Sequence, residues 1–488
     1  MPDTRFPIPP AIDFRSNFTM TIGGRAATSD ASFNVVNPAT EDVLAQAPEA
    51  SQAQLDAAVD AARNAFDAWK ATPLAQRQAL VQAIADRLTA QRQAFAELLT
   101  REQGKPLADA QSEIGRCIRW LQETARMGVS DEVLLDTPEK RVVKRHVPLG
   151  VVAAIAPWNF PMTLAVWKIA PALVAGNTMV LKPSPFTPLT SLKLGELLRD
   201  LLPPGVLNVI SGTDRLGPWL TAHPGIDKIA FTGSTATGRA IMRSASDTLK
   251  RVTLELGGND PAIVFDDVDV DTWVPRLFWG AFANNAQFCL ASKRMYVHAR
   301  IYDRFAQAMV AYARTVRIGD GMAPGTRIGP LQNALQYERI RRLLAQARAD
   351  GVRFLTGGDV PPGRGYFVPV AIADNPPDDA PIVAEEAFGP ILPLLRFDDE
   401  DEVIRRANQG PYGLGASVWS ADLVRAERVS QRLQAGTVWI NTIHELSPQY
   451  PMAGHKQSGL GRENGLEGLL EYTNTQVLTV NRGAVVLP

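Results

Sequence analysis

The chain has 488 residues, 45% of them hydrophobic and 21% charged, with 50 Lys and Arg against 51 Asp and Glu for a formal net charge of −1. A length several times the usual domain of about 100–200 residues predicts two or three domains with a large core. The balanced charge, without basic blocks, excludes nucleic acid and membrane as expected partners and leaves a small molecule; the two distant cysteines, Cys117 and Cys289, exclude a disulfide framework or Cys-rich metal site, and predict a reducing, cytoplasmic setting without bound metal.

In chain order, Met1–Pro10 is proline-rich and lacks an apolar h-region, so no signal peptide is expected. Ser51 then caps a stretch whose Leu55, Ala58, Val59, Ala62, Phe66 and Trp69 follow helical spacing. A second helical pattern runs from Leu74 to Leu99 and is stopped by Gly104 and Pro106, and a third covers about Asp109 to Arg126. From about Val147 short apolar runs alternate with helical stretches: Val151–Ala156, Thr178–Leu181, Leu207–Ile210, Lys228–Phe231 and Val252–Leu254. That alternation predicts βαβ units and a doubly wound parallel sheet. After Gly257-Gly258 a second set follows, with strands expected at Ala262–Phe265, Met295–His298, Val352–Leu355, Ile391–Phe397, Ala416–Trp419 and Thr437–Asn441. Two β-rich segments, Arg126–Arg145 and Leu470–Thr479, fit neither half and are expected to pair as an arm.

Several residue patterns carry chemistry. Cys289 ends Asn285-Ala286-Gln287-Phe288-Cys289; as a thiolate it would be a nucleophile, as a thiol a small buried hydrophobe. Glu255 closes an apolar strand before Leu256-Gly257-Gly258, at the edge where open α/β sheets place ligands; a surface glutamate near a turn is the alternative. Phe231–Gly238 follows a strand and opens a helix, as a pyrophosphate-binding turn does, although it is not G-x-G-x-x-G and a plain tight turn also fits. In Pro157-Trp158-Asn159-Phe160-Pro161, Asn159 offers either an oxyanion donor or a helix cap. Lys182, before Pro183-Ser184-Pro185, either reaches the sheet-edge crevice or is a solvated loop lysine.

Taken together and in order, these stretches resemble the aldehyde dehydrogenase superfamily from about residue 20 to 480, with two further matching segments, Glu385–Pro390 and Pro451–Glu463. The resemblance implies an α/β fold of two doubly wound α/β domains, cofactor-binding and catalytic, plus a small β oligomerisation arm. Residues 1–125 and 146–256 would bind the cofactor, 257–440 form the catalytic domain, 441–469 supply a loop region, and 126–145 with 470–488 form the arm. It further implies that Cys289 attacks an aldehyde carbon, that Asn159 and the Cys289 N–H hold the oxyanion, and that Glu255 activates the water that hydrolyses the thioester. Trp158, Lys182, Ser184, Gly233, Ser234, Gly238, Glu386 and Phe388 would bind NAD, with NADP also open because Pro185 stands where many members carry glutamate. The substrate tunnel would be lined by Phe160, Leu164, Trp167, Phe282, Phe288, Leu290 and part of Ile443–Pro451, with His444 either in the tunnel or facing solvent. That apolar set, without a basic cluster, points to medium-chain or aromatic aldehydes. A homodimer or homotetramer is implied.

Ala286 replaces the glycine usual before Gln287, Met452-Ala453 stands where Phe-Gly is common, and Glu463 matches either a proton relay or a structural ion-pair partner. Because Glu255 is present, hydrolysis to the free acid is expected rather than acyl transfer to coenzyme A. Two other readings use the same residues: a thiol esterase or hydrolase without redox turnover, and a catalytically silent member of the family. The cofactor set argues against the first, and the presence of both Cys289 and Glu255 against the second.

Overall fold

Residues 12–483 are described in a computed structural model of the chain; the lead Met1–Pro10 and residues 484–488 lie outside them. Ser51 caps the helix Gln52–Ala71 through a reciprocal box, its hydroxyl accepting from Gln54 N at 3.2 Å while Gln54 Oε1 accepts from Ser51 N at 3.1 Å. The helical pattern expected from Leu74 to Leu99 is two helices, Leu74–Ala90 and Arg92–Gln103, broken at Gln91 (φ −109°, ψ 12°). Amphipathic spacing conceals the break, since Leu88, Phe95 and Leu99 enter one core from both sides of it. Gly104, at φ 95°, ends the second helix with its N–H on the Thr100 carbonyl.

The first sheet has eight strands, in the order Arg25–Ala27, Met20–Ile22, Leu207–Val209, Thr178–Lys182, Val151–Ile155, Lys228–Thr232, Arg251–Glu255 and Gly459–Leu460. Its five inner strands are parallel and consist mainly of buried residues, as apolar runs without alternation require. The chain starts at the central Val151–Ile155, winds out to Leu207–Val209, then returns to Lys228–Thr232 on the other side. This reversal sets the carboxyl ends of Val151–Ile155 and Lys228–Thr232 side by side, where doubly wound sheets form a ligand crevice. The short N-terminal strands carry no periodic signal, and their place comes from antiparallel pairing of Thr21 with Val209.

The second sheet has seven strands, in the order Phe354–Thr356, Ala371–Asp374, Ile391–Phe397, Ser292–His298, Asp260–Val264, Gly415–Trp419 and Thr437–Ile440. Ala371–Asp374 is short and lies between Pro369 and Pro376, which hides it from pattern reading. Separate hydrophobic clusters pack on this sheet, one around Ile340, Leu395 and Val418 and another around Phe278, Met295 and Phe305. Glu132–Asp136, Lys140–Pro148 and Thr473–Asn481 make a three-stranded antiparallel sheet that leaves Val133, Leu134, Leu135, Val477, Leu478 and Val480 exposed.

Candidate active site

Between the helix Val270–Phe282 and the strand Ser292–His298 the backbone makes an unusual turn: Asn284, Asn285 and Ala286 adopt φ of 53°, 58° and 57°. Asparagine tolerates the left-handed region, whereas alanine pays about 1–2 kcal/mol there. The turn is held by side-chain ties. Asn285 Nδ2 donates to Gly329 O at 2.9 Å, Gln287 Nε2 to Asn284 O at 3.1 Å, and Gln332 N to Gln287 Oε1 at 2.8 Å. Cys289 is thereby presented at the mouth of the second sheet, and among the described residues its own N–H has no hydrogen-bond partner. An Ala286→Gly variant should be neutral to stabilising within about 1 kcal/mol, since relief of strain opposes the added chain entropy. Ala286→Val should lose more than about 1 kcal/mol, because a branched side chain is disfavoured at positive φ. Urea unfolding midpoints check both, and a stable valine variant would contradict the strain.

Asn159 is strapped to the same loop. Its Nδ2 donates to Gln287 O at 2.9 Å, and its own carbonyl accepts from Lys105 Nζ and Asn284 Nδ2, each at 3.0 Å. The helix Pro161–Ala175 is capped by Phe160, not by Asn159, so the capping alternative does not hold. An amide has two N–H donors, and the one not spent on Gln287 is available to a substrate oxygen. Lys105 pairs with Glu113 at 2.5 Å with both side chains buried, and Glu113 Oε1 accepts from Met162 N at 3.2 Å and Thr163 N at 3.1 Å. One buried carboxylate thus satisfies the first turn of the helix that follows Asn159. Lys105 and Glu113 were not singled out from the sequence. A signal existed, since Glu113 falls within the stripe Ala110, Ile114, Cys117 and Leu121, where a charge needs a partner.

Cys289 and Glu255 line one cavity of about 360 Å³, together with Phe160, Leu164, Trp167, Phe288, Leu290 and His444. Glu255 is 3% exposed, and neither carboxylate oxygen has a hydrogen-bond partner. Burial, then the nearby Glu463, push its carboxyl well above the usual range, against the pull of Lys168. Burial and the surrounding carboxylates likewise push the Cys289 thiol up to about 12, with Lys293 opposing. Glu463 forms a buried ion pair with Lys168 at 2.9 Å, and Lys168 also donates to Thr232 Oγ1 at 2.8 Å.

Two expectations for the tunnel, Phe282 as a lining residue and the lack of basic residues, need correcting. Phe282 is fully buried against Phe278, at 4.7 Å between ring centroids, and does not line the cavity, because the helix turns it into the core. Of the two alternatives for His444 the structure has the one inside the tunnel: the ring is tilted against Phe288 at 4.5 Å between centroids, its Nε2 meets Leu290 O at 3.0 Å, and burial pulls its pKa down to about 4, so the ring is neutral near pH 7. Basic residues are present too, since Arg116 and Arg327 reach the cavity from segments distant in sequence.

The crevice at the first sheet's edge gathers the remaining candidates. Lys182 ends its strand, is 5% exposed, and makes one long hydrogen bond, to Pro183 O at 3.4 Å; burial draws its pKa down to about 8. It is therefore not a solvated loop lysine. Ser184 closes its own turn, accepting from Phe186 N at 3.3 Å. Ser234 caps the helix Thr235–Ser246, accepting from Thr237 N at 3.2 Å. A Cβ on Gly233 would strike the Phe231 ring, and one on Gly238 would lie 2.6 Å from Leu256, so a larger residue at either place would make those side chains shift. Trp158 and Phe388 meet edge to face at 5.4 Å. Glu386 lies over the Gly257-Gly258 turn, accepting from Gly258 N at 3.1 Å and pairing with Lys293 at 3.3 Å. A buried ammonium with a single long hydrogen bond, a glycine turn at a helix start and a carboxylate on a second glycine turn fit the phosphates and ribose hydroxyls of a dinucleotide. Among the described residues no cluster of side chains suits a metal ion.

With this geometry in view, comparison with known proteins places the chain. The family model described as "Aldehyde dehydrogenase family" matches residues 25–478, and the chain belongs to that family. It is 43% identical over 469 residues to a probable aldehyde dehydrogenase of a Pseudomonas species, covering 96% of this chain and 95% of that protein. It is 40% identical over 489 residues to the phenylacetaldehyde dehydrogenase of Pseudomonas fluorescens, covering 96% and 97%. Among solved structures, the NAD+ complex of the aldehyde dehydrogenase from Bacillus cereus superposes with a TM-score of 0.93 at 37% identity, covering 96% of this chain and 97% of that one.

Proposed function

We propose that the protein oxidises an aldehyde to the carboxylic acid with NAD, Cys289 being the nucleophile and Glu255 the base of the second half-reaction. One observation carries this reading: a thiol and an unpartnered, buried carboxylate share one cavity. Cys289 Sγ adds to the aldehyde carbon, and the oxyanion of the thiohemiacetal is met by the Cys289 N–H and the second N–H of the Asn159 amide. Lys182, Ser184, Ser234, Glu386 and the Trp158–Phe388 pair would hold the cofactor, which when bound would supply the acceptor for the hydride that the thiohemiacetal carbon gives up in becoming a thioester. Glu255 then takes a proton from water as that water attacks the thioester, and Cys289 leaves as the thiolate. The high pKa of Glu255 suits this task, because a base that strong can accept a proton near neutral pH.

The cavity walls supplied by Phe160, Leu164, Trp167 and Phe288 support a medium-chain or aromatic aldehyde, as does the named activity of the Pseudomonas fluorescens relative. The exposed apolar arm supports a homodimer or homotetramer, since such an edge is sticky when bare. Free thiols at Cys117 and Cys289 suit a reducing cytoplasm, and no helix among the described residues is long and apolar enough to cross a membrane.

The test is formation of reduced nicotinamide with NAD and NADP separately, against hexanal, benzaldehyde, phenylacetaldehyde and a carboxylated semialdehyde. Turnover should be fastest with NAD and an apolar aldehyde, and Cys289→Ala should lower it by roughly 10⁴-fold or more. Undiminished turnover in that variant would remove the mechanism, and a strong preference for the semialdehyde would remove the substrate class.

A further inference from the structure

Lys293 lies four residues after Cys289, and its side chain is only 6% exposed. Its ammonium donates to the Cys289 carbonyl at 2.6 Å, approaches Ala291 O at 3.5 Å, and pairs with Glu386 Oε1 at 3.3 Å. It also sits 6.0 Å from the centroid of Phe388. A single buried cation therefore bridges the nucleophile's loop and the carboxylate assigned above to the cofactor ribose. The charged groups around the thiol come from several elements: Glu255 from the first sheet, Asp260 from the second, Glu386 from its loop, and Lys293 as the cation among them. His444 packs in from the 441–446 segment and is neutral. No residue in the mechanism above accounts for how a thiol enclosed by carboxylates ionises at all.

We infer that Lys293 is a positioning residue that joins cofactor occupancy to the nucleophile: it fixes the Cys289 loop by its carbonyl, supplies the positive charge beside the thiol, and shares that charge with Glu386 until a dinucleotide ribose takes the carboxylate. The inference rests on the reading of Cys289 as nucleophile and Glu386 as a cofactor ligand. Its physics is direct. An opposite charge a few ångströms away favours ionisation by about one to three pKa units, while a carboxylate competing for the same ammonium weakens that help. Burial alone would leave the thiol inert, and Lys293 is the largest influence opposing it. When a bound ribose engages Glu386 through its hydroxyls, the ammonium turns wholly to the Cys289 loop, so nucleophile and cofactor become ready together.

The experiment follows alkylation of Cys289 by iodoacetamide in the full-length protein without aldehyde, across pH, with and without NAD+, read by mass spectrometry. Cys117 is fully buried and serves as the internal control. In Lys293→Met the midpoint of the pH profile should rise by about one unit or more, making alkylation near neutral pH about tenfold slower. Lys293→Arg should restore most of the loss. NAD+ should speed alkylation of the wild type and leave Lys293→Met unaffected. Glu386→Gln removes a carboxylate beside the thiol as well as the competitor for Lys293, so it should lower the midpoint without NAD+ and also abolish the response to saturating NAD+; the lost response carries the test even if the methionine variant does not fold. Coincident pH profiles for wild type, Lys293→Met and Glu386→Gln would overturn the inference. If turnover still required Cys289 in that case, the proposed function would stand without Lys293; turnover persisting in Cys289→Ala would remove the function itself.

Discussion

A Glu255→Gln variant should release about one equivalent of reduced nicotinamide per Cys289 in a rapid first turnover and then slow by roughly 10²–10⁴-fold. Glutamine fills the same volume and cannot accept the water's proton, so the acyl group stays on Cys289 until uncatalysed water removes it. Stopped-flow absorbance separates the two phases, and mass spectrometry of the stalled protein should show the acyl adduct. A slow first turnover without a burst would instead assign Glu255 to deprotonating Cys289. The pH dependence has a defined sign. As the proposed base Glu255 would act in its ionised form, and its carboxyl is raised by burial and by Glu463, so the wild-type rate should fall as pH drops through that raised value, well above the ordinary carboxylate value of about 4.3. This acid limb should vanish in the variant. Stability should change little, because glutamine fills the same volume at a site where neither carboxylate oxygen has a hydrogen-bond partner.

Much of this arrangement was legible in the sequence, and the legible parts share a cause. Strands buried on both faces announce themselves as apolar runs, so the parallel strands from Val151 to Glu255 and the placement of Lys182, Phe231–Gly238 and Glu255 at their ends followed from pattern, whereas the order of those strands in the sheet came only with the structure. Residues whose roles depend on partners distant in sequence stayed hidden. Lys293 looks like any lysine at the start of a strand until Glu386 comes within 3.3 Å of it. Arg116 and Arg327 were unseen as cavity residues because one lies on the helix Leu107–Ala125 and the other on a loop beyond the second domain's first strands. The Ala286 conformation was half visible: the sequence marks the residue as out of place, and the left-handed backbone at φ 57° supplies the reason. His444 was ambiguous because a lone histidine in a loop carries no periodicity, and only its contact with Phe288 places it inside.

The largest stability effect is expected at a residue that touches neither substrate nor cofactor. Glu113→Ala should cost about 3–5 kcal/mol, because it strands a buried Lys105 ammonium. Desolvation already lowers the pKa of Lys105, with Glu113 opposing that shift most strongly, so its removal should let the lysine shed its proton at lower pH. The same change frees the N–H groups of Met162 and Thr163, loosening the first turn of the helix that positions Asn159. The double variant Lys105→Met/Glu113→Leu should recover part of the stability, as replacing a buried ion pair with apolar side chains often does. It should not recover activity, because Asn159 loses the Lys105 hydrogen bond on its carbonyl. Misplacing an oxyanion donor lowers turnover by about 10²–10³-fold. Urea denaturation and steady-state turnover on the three proteins separate these effects. A double variant restored in both would mean that the pair serves folding alone, whereas one restored in stability but not in rate would mean that the buried pair holds Asn159 where the reaction needs it.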